Sequence, residues 1–279
     1  MRGRHLVSRR PIAALLLTAS IAVPAATGTP AGAAAPTKKA KPTITVLVTN
    51  DDGVAAPGID AVVEALRQEK KTKVVVVAPA TNQSGSGSKT TPGGAPGAPA
   101  TTASGYEATA VTGFPADAVD HALDVLKVTP NVVISGSNSN QNLGTNSEVS
   151  GTVGAARQAA RRGIPALAVS AQLGDDPDFP TSAELAVEWL REHRRALAKK
   201  SKADGTPLTE IESINVPTCP GGAKGPYETV LAPEGTTEPL VTADPVDCTS
   251  ALTSFTSDAQ AFNNGYASIT KITVPATAG

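Results

Sequence analysis

Ile44-Thr45-Val46-Leu47-Val48-Thr49-Asn50-Asp51-Asp52-Gly53 is the stretch on which the fold turns. Six apolar or β-branched residues without regular polar alternation read as a strand covered on both faces, which is the pattern of a parallel sheet lying between helices. The run stops at Asn-Asp-Asp-Gly, residue types that favour a turn, so two adjacent carboxylates stand at the carboxyl end of the strand. In open α/β sheets that edge is where ligands bind. Adjacent carboxylates are also the oxygen donors that a hard divalent cation takes.

Outward from this strand the rhythm repeats. Residues 58–68 carry apolar side chains at helical spacing (Ile59, Val62, Val63, Leu66), and residues 73–78 form a second continuous apolar strand. Helices are then expected over 116–125, 151–162 and 181–199, and strands over 131–135, 166–170, 213–216 and 266–274. Alternating strands and helices at this pitch predict an α/β fold, a doubly wound, mostly parallel sheet of Rossmann-like type with a C-terminal extension. Two stretches break the rhythm. Residues 84–105 are rich in Gly, Ser, Thr, Pro and Ala and read as a long mobile excursion, of which 88–105 is the variable loop. Residues 217–256 are again rich in Pro and Gly, and with the late strand they make an extension over 217–279, packed on the body or on a partner subunit.

The second and third strands end in small oxygen-bearing residues too. The second leads to Asn82-Gln83-Ser84-Gly85, and the third ends in Ser135-Gly136-Ser137-Asn138, followed by Asn142-Leu143-Gly144. Asn-Asp-Asp-Gly alone would suit a plain turn; three successive strands delivering oxygen donors to one edge favour a site. Ser150-Gly151-Thr152-Val153 opens the next helix, with Ser150 a good N-cap, and free N–H groups at a helix start bind phosphate. Carboxylates facing such a helix start suggest a phosphoester enzyme.

Composition narrows the alternatives. The chain has 279 residues, 40% hydrophobic and 18% charged. Its first 35 residues hold Arg2, Arg4, Arg9 and Arg10 and no acid; setting these four aside leaves 20 of the 24 basic residues against 25 acidic ones. A nucleic-acid polymer is therefore not an expected partner, because phosphate-backbone binding rests on Lys and Arg. A basic start, an apolar stretch over 12–23 and a small-residue run over 25–35 read as a signal peptide over residues 1–35, followed by one domain over 36–279. The expectation is a secreted protein, extracellular or periplasmic, with no membrane attachment after cleavage. Cys219 and Cys248 both fall in the exported part, where oxidation is permitted and a bridge would add about 3 to 4 kcal/mol. Of three histidines only His121 and His193 lie beyond the leader, which excludes a multi-histidine zinc site. No Gly-x-Ser-x-Gly elbow is present, and the glycines of 85–90 are wrongly spaced for a P-loop.

Read together, these blocks resemble the SurE (survival protein E) family of metal-dependent 5′-nucleotidases. The resemblance is carried by 49–54 with 56–59, 77–79 with 82–85, 113–117, 134–138, 142–144 and 150–153, and by 165–170, 215–217 and 265–270, all in family order over roughly 44–274. It implies that Asp51, Asp52, Ser84 and Asn138 hold one divalent metal ion, Mg or Mn or else Ca. It implies further that Asn50, Asn142, Ser150, Gly151 and Thr152 line the phosphate pocket, with Asp51 and Asp52 catalytic. The expected substrate is a small phosphomonoester, a nucleoside monophosphate or a broader range, and the expected assembly is a homodimer or larger homo-oligomer. The sequence departs from the family at 90–97, where a hairpin is usual, at Val149, where tyrosine is usual, and at Phe114. The rival from another class is a secreted, non-catalytic phosphate- or nucleotide-binding protein.

Overall fold

In the computed structural model, which describes residues 41–199, 205–233 and 246–276, the opening strand β1 (Ile44–Thr49) pairs in parallel on both sides. One neighbour is β2 (Thr72–Pro79) and the other is β5 (Val132–Asn138). The expected signal peptide lies outside the described residues. Nine strands form one sheet in the order β3-β4-β2-β1-β5-β6-β7-β9-β8, where β3 is Gly97–Thr101, β4 is Glu107–Val111, β6 is Ala166–Ala171, β7 is Glu210–Val216, β8 is Lys224–Thr229 and β9 is Tyr266–Thr273. All pairings are parallel except β3 with β4 and β7 with β9. The chain moves outward from β1 to β2, then returns past β1 to β5. The carboxyl ends of β1 and β5 therefore flank the point where the winding reverses, the crevice in which doubly wound sheets bind their ligands.

Alternation within the apolar runs feeds two cores. On one face Val46 and Val48 pack with α1 (Pro57–Arg67) and α5 (Phe179–Lys199), through Ile59, Leu66, Ala186 and Leu190. On the other, Leu47 and Val133 pack with α2 (Pro115–Asp120) and α4 (Gly151–Arg161), through Val119, Val153, Ala156 and Ala160. Small α4 side chains let that helix lie close to the sheet. Gly154 brings the helix against the 84–88 loop as well: a Cβ there would meet the Gly87 carbonyl oxygen at 1.9 Å. Gly154→Ala is expected to cost about 1–3 kcal/mol, the usual range for overpacking, and to push the 84–88 loop off the helix. An unchanged urea midpoint in that variant would contradict the packing.

The stretch expected to be a mobile excursion is instead anchored. Residues 97–101 form β3 against β4, Asp117 accepts the Thr91 N–H and hydroxyl at 2.8 and 2.7 Å, and Asp60 accepts the Thr102 hydroxyl and the Ser104 N–H at 2.5 and 3.0 Å. Its anchors are carboxylates on α1 and α2, which local composition does not reveal. His121, at the π-turn that continues α2, is buried with Nδ1 on the Ala95 carbonyl at 3.1 Å, a packing role.

The C-terminal extension packs on the body: β9 pairs antiparallel with β7, and α6 (Asp258–Asn263) precedes it. Cys219 and Cys248 are bonded to each other across a separation of 29 residues. Closing a loop of that length is worth about 3 to 4 kcal/mol in the chain-entropy account. Replacing both cysteines by serine is expected to lower stability by about that amount in guanidinium titration, and a loss below ~1 kcal/mol would show that the other contacts of the extension already hold it.

Candidate active site

The turn after β1 places Asp51 at the bottom of a cleft of about 170 Å³ on the carboxyl edge of the sheet. Asp51 is 2% exposed. Its carboxylate accepts the Thr152 hydroxyl at 2.6 Å and the Thr152 N–H at 3.1 Å, so the start of α4 is aimed at it. Burial nevertheless pushes its acid constant up from 3.8 to about 6; the Thr152 hydroxyl lowers it, and the neighbouring charge of Asp52 raises it further. Gly151 makes the approach possible, since a Cβ there would lie 2.8 Å from the Asp51 Cβ and 2.9 Å from the Ser86 Oγ.

The other predicted residues converge on the cleft to different degrees. Ser84, Asn138, Asn142 and Ser150 line it with Asp51. Ser84 is carried by a loop held between two carbonyls, with the Gln83 N–H donating to Asp51 at 2.7 Å and the Gly87 N–H to Val149 at 2.9 Å. Asn142 is held from behind by Asn215, which accepts its N–H at 2.6 Å, and by Ser170, which accepts from its side-chain amide at 2.8 Å. Ser150 caps α4 as expected, accepting the Val153 N–H at 3.1 Å.

Three predicted residues sit elsewhere. Asp52 turns to the rim of the turn, accepting the Ser139 N–H at 2.9 Å and the Asn82 amide at 3.1 Å, and does not line the cleft. Asn50 is fully buried, with both side-chain polar groups on Gly53, and holds the turn rather than facing a ligand. Thr152 is fully buried and directs both its donors at Asp51, so its N–H does not serve a phosphate. The reason is stoichiometric: two of the first three N–H groups of α4 are taken by Asp51 and Ser150, and the positive end of the helix acts on a carboxylate of the protein.

Sequence reasoning missed Asn140, Gln141 and Asn146, which also line the cleft. The signal was their place within 135–146, the segment that carries Asn138 and Asn142. It missed Ser86 as well, whose buried hydroxyl has no partner and lies beside Asp51 against Gly151.

The donor set fits a hard divalent cation. Asn138 is 5% exposed; its amide donates to the Asn140 carbonyl at 2.6 Å, which leaves its buried Oδ1 without a partner at the cleft. Asp51 is a buried carboxylate, and among the described residues no Lys or Arg lines the cleft with it. A cation would relieve both the desolvation of Asp51 and its repulsion with Asp52. Among the described residues no group of three or more His, Cys, Asp or Glu side chains is placed to hold a metal, so softer, zinc-like coordination finds no set of ligands here.

Comparison with known proteins bears on the family and the fold. A family model described as survival protein SurE matches residues 46–238. The 5′/3′-nucleotidase SurE of Yersinia pseudotuberculosis is 36% identical over 194 residues, 67% of this chain and 73% of its own length. The 5′-nucleotidase SurE of Methanopyrus kandleri is 42% identical over 173 residues, 62% of this chain and 66% of its own. The crystal structure of the SurE protein from Aquifex aeolicus superposes with a TM-score of 0.65 at 28% identity, covering 84% of this chain and 94% of that one.

Proposed function

From the premise that the chain belongs to the SurE family, we propose that it is a divalent-metal-dependent phosphomonoester hydrolase acting on nucleoside monophosphates at the 5′ position. The observation that carries the reading is the buried Asp51 carboxylate beside the unpartnered Asn138 Oδ1, in a cleft without a basic side chain. A phosphate dianion enters such a cleft only together with positive charge. Asp51, Asn138 and Ser84 would hold the ion, with Asp52 at the rim. When bound, a divalent cation supplies the charge that draws in and polarises a phosphoryl oxygen.

The residues of the chain do the remaining work. Thr152 fixes both Asp51 oxygens so that the carboxylate cannot swing toward solvent. Asn142, Asn146 and Ser150 line the same cleft with neutral polar groups, which suit the uncharged and anionic oxygens of a phosphoryl group without competing for the cation. These contacts are blind to the leaving group, so activity on many monoesters is expected, with Mg²⁺ or Mn²⁺ as the working ion. A purely binding role is not favoured, because relatives 36% and 42% identical to this chain are named nucleotidases. The test is release of phosphate from a chromogenic monoester and from a nucleoside monophosphate, with Mn²⁺ and with chelator. Turnover unaffected by exhaustive chelation would overturn the reading.

Export through the leader is proposed on two supports, the basic and apolar pattern of 1–35 and the Cys219–Cys248 bridge, which persists in oxidising compartments. Among the described residues no helix is long and apolar enough to cross a membrane. A homo-oligomer is proposed as the assembly, on the strength of the family resemblance. Light scattering of the purified protein reads this directly, and a monomer at micromolar concentration would contradict it.

A further inference from the structure

The C-terminal extension reaches the cleft through one side chain. Asp258, the first residue of α6, is fully buried, and among the described residues no basic group pairs with its carboxylate. It accepts three backbone N–H groups instead: Gly144 at 2.9 Å on Oδ2, and Ala232 and Ala259 at 2.8 Å each on Oδ1. These donors belong to the loop after β5, to the segment after β8, and to α6 itself. A buried charge is tolerated only when its hydrogen bonds are supplied. The three donors make this carboxylate a joint between elements far apart in the chain, 114 residues in the case of Gly144.

Gly144 ends the tight segment that presents Asn142 to the cleft. It adopts φ +49°, and its carbonyl accepts the Ser147 hydroxyl at 2.7 Å, which sets the start of α3 (Asn146–Val149). The Asn142–Asn146 wall is therefore fixed from three sides, by Ser170 on β6, Asn215 on β7 and Asp258 on α6. The residues proposed to hold the cation come from the ends of β1, β2 and β5, and Asp258 bonds to none of them.

We propose that Asp258 is a positioning residue for substrate phosphate: through the Gly144 N–H it sets the Asn142–Asn146 wall, and so couples the extension to phosphate binding without touching the metal ligands. This rests on the phosphomonoesterase reading above. Asp258→Asn is the sharpest test, because the variant keeps the shape and an oxygen for two donors yet turns an amide N–H toward that of Gly144. Asp258→Ser serves as the second variant. For both, and for the wild-type full chain, Mn²⁺ affinity is measured by calorimetry, inorganic phosphate is titrated as a competitive inhibitor, and KM and kcat are measured on one chromogenic monoester.

The expected result is an inhibition constant for phosphate and a KM both raised tenfold or more, with the Mn²⁺ dissociation constant within threefold of wild type and kcat changed less than KM. A phosphate constant within twofold of wild type would overturn the proposal. So would Mn²⁺ affinity falling in step with it, or failure of both variants to fold by circular dichroism, since each makes Asp258 a general structural residue. If the wild-type chain hydrolyses no monoester with Mn²⁺, the parent reading fails. A wild-type enzyme with unaltered phosphate binding in the variants sinks only the positioning role.

Discussion

Asp51→Asn is expected to remove phosphomonoesterase turnover by a factor of at least ~10³ while the fold survives, in line with the loss of a group that binds reacting charge. The asparagine is isosteric, can still accept the Thr152 hydroxyl, and relieves the cost of burying a charge at a position that is 2% exposed. Its amide nitrogen, however, is no ligand for a hard cation and carries no charge. Calorimetric Mn²⁺ titration and phosphate release are the measurements. Activity within tenfold of wild type in a folded Asp51→Asn variant would remove Asp51 from the reaction.

The second large effect is a dependence of stability on metal and pH together. With its acid constant pushed from 3.8 to about 6 by burial, Asp51 is protonated in the folded, metal-free chain at pH values where the unfolded chain has already ionised it. The unfolded state therefore binds fewer protons between about pH 4 and pH 6, and stability falls as pH rises through that window. Above it the deficit is constant, about 3 kcal/mol at 1.36 kcal/mol per unit. With the cation held at Asp51 as proposed, metal binding would offset this deficit, so Mn²⁺ should raise the melting temperature more at pH 7.5 than at pH 5.

Other carboxylates tilt the same curve the other way. Glu69 is held low by its hydrogen bond from Arg191, and Asp124 by that from Arg162. Their stabilisation is present above their unfolded acid constants and lost as pH falls through the folded ones. The difference between wild type and Asp51→Asn isolates the Asp51 contribution. In the metal-free proteins the variant should gain stability relative to wild type as pH rises from 4 to 6. A flat difference curve would show that Asp51 is not desolvated as its burial implies.

Legibility of the site followed the range of the interactions concerned. Asp51, Ser84, Asn138, Asn142 and Ser150 could be picked out because each stands at or just past the end of an apolar strand, or at a helix start, and those positions are local properties. Which way a side chain turns there is not local. Asp52 and Asn50 have the right chemistry, yet Ser139, 87 residues on, takes one, and the Gly53 backbone takes both polar groups of the other. Asn140 and Ser86 drew no notice because an orphaned hydrogen-bonding group becomes visible only when its neighbours are in place. The same limit explains 84–105, whose Gly, Pro and Ser composition reads as mobile while Asp60 and Asp117 from two helices hold it.

The sequence by itself determined the strand and helix alternation, the doubly wound class, the carboxyl edge as the place where oxygen-bearing side chains gather, and the family, because continuous β-branched runs, apolar spacing of three and four, and turn residues act over a few residues. Tertiary structure alone decided that β1 and β5 flank the reversal of winding, that β9 lies between β7 and β8, and that Asp258 reaches Gly144. It also decided that the start of α4 is aimed at Asp51, which accepts the Thr152 N–H and hydroxyl. Each of these is a contact between residues tens to more than a hundred positions apart, and its energy depends on burial that no local window contains.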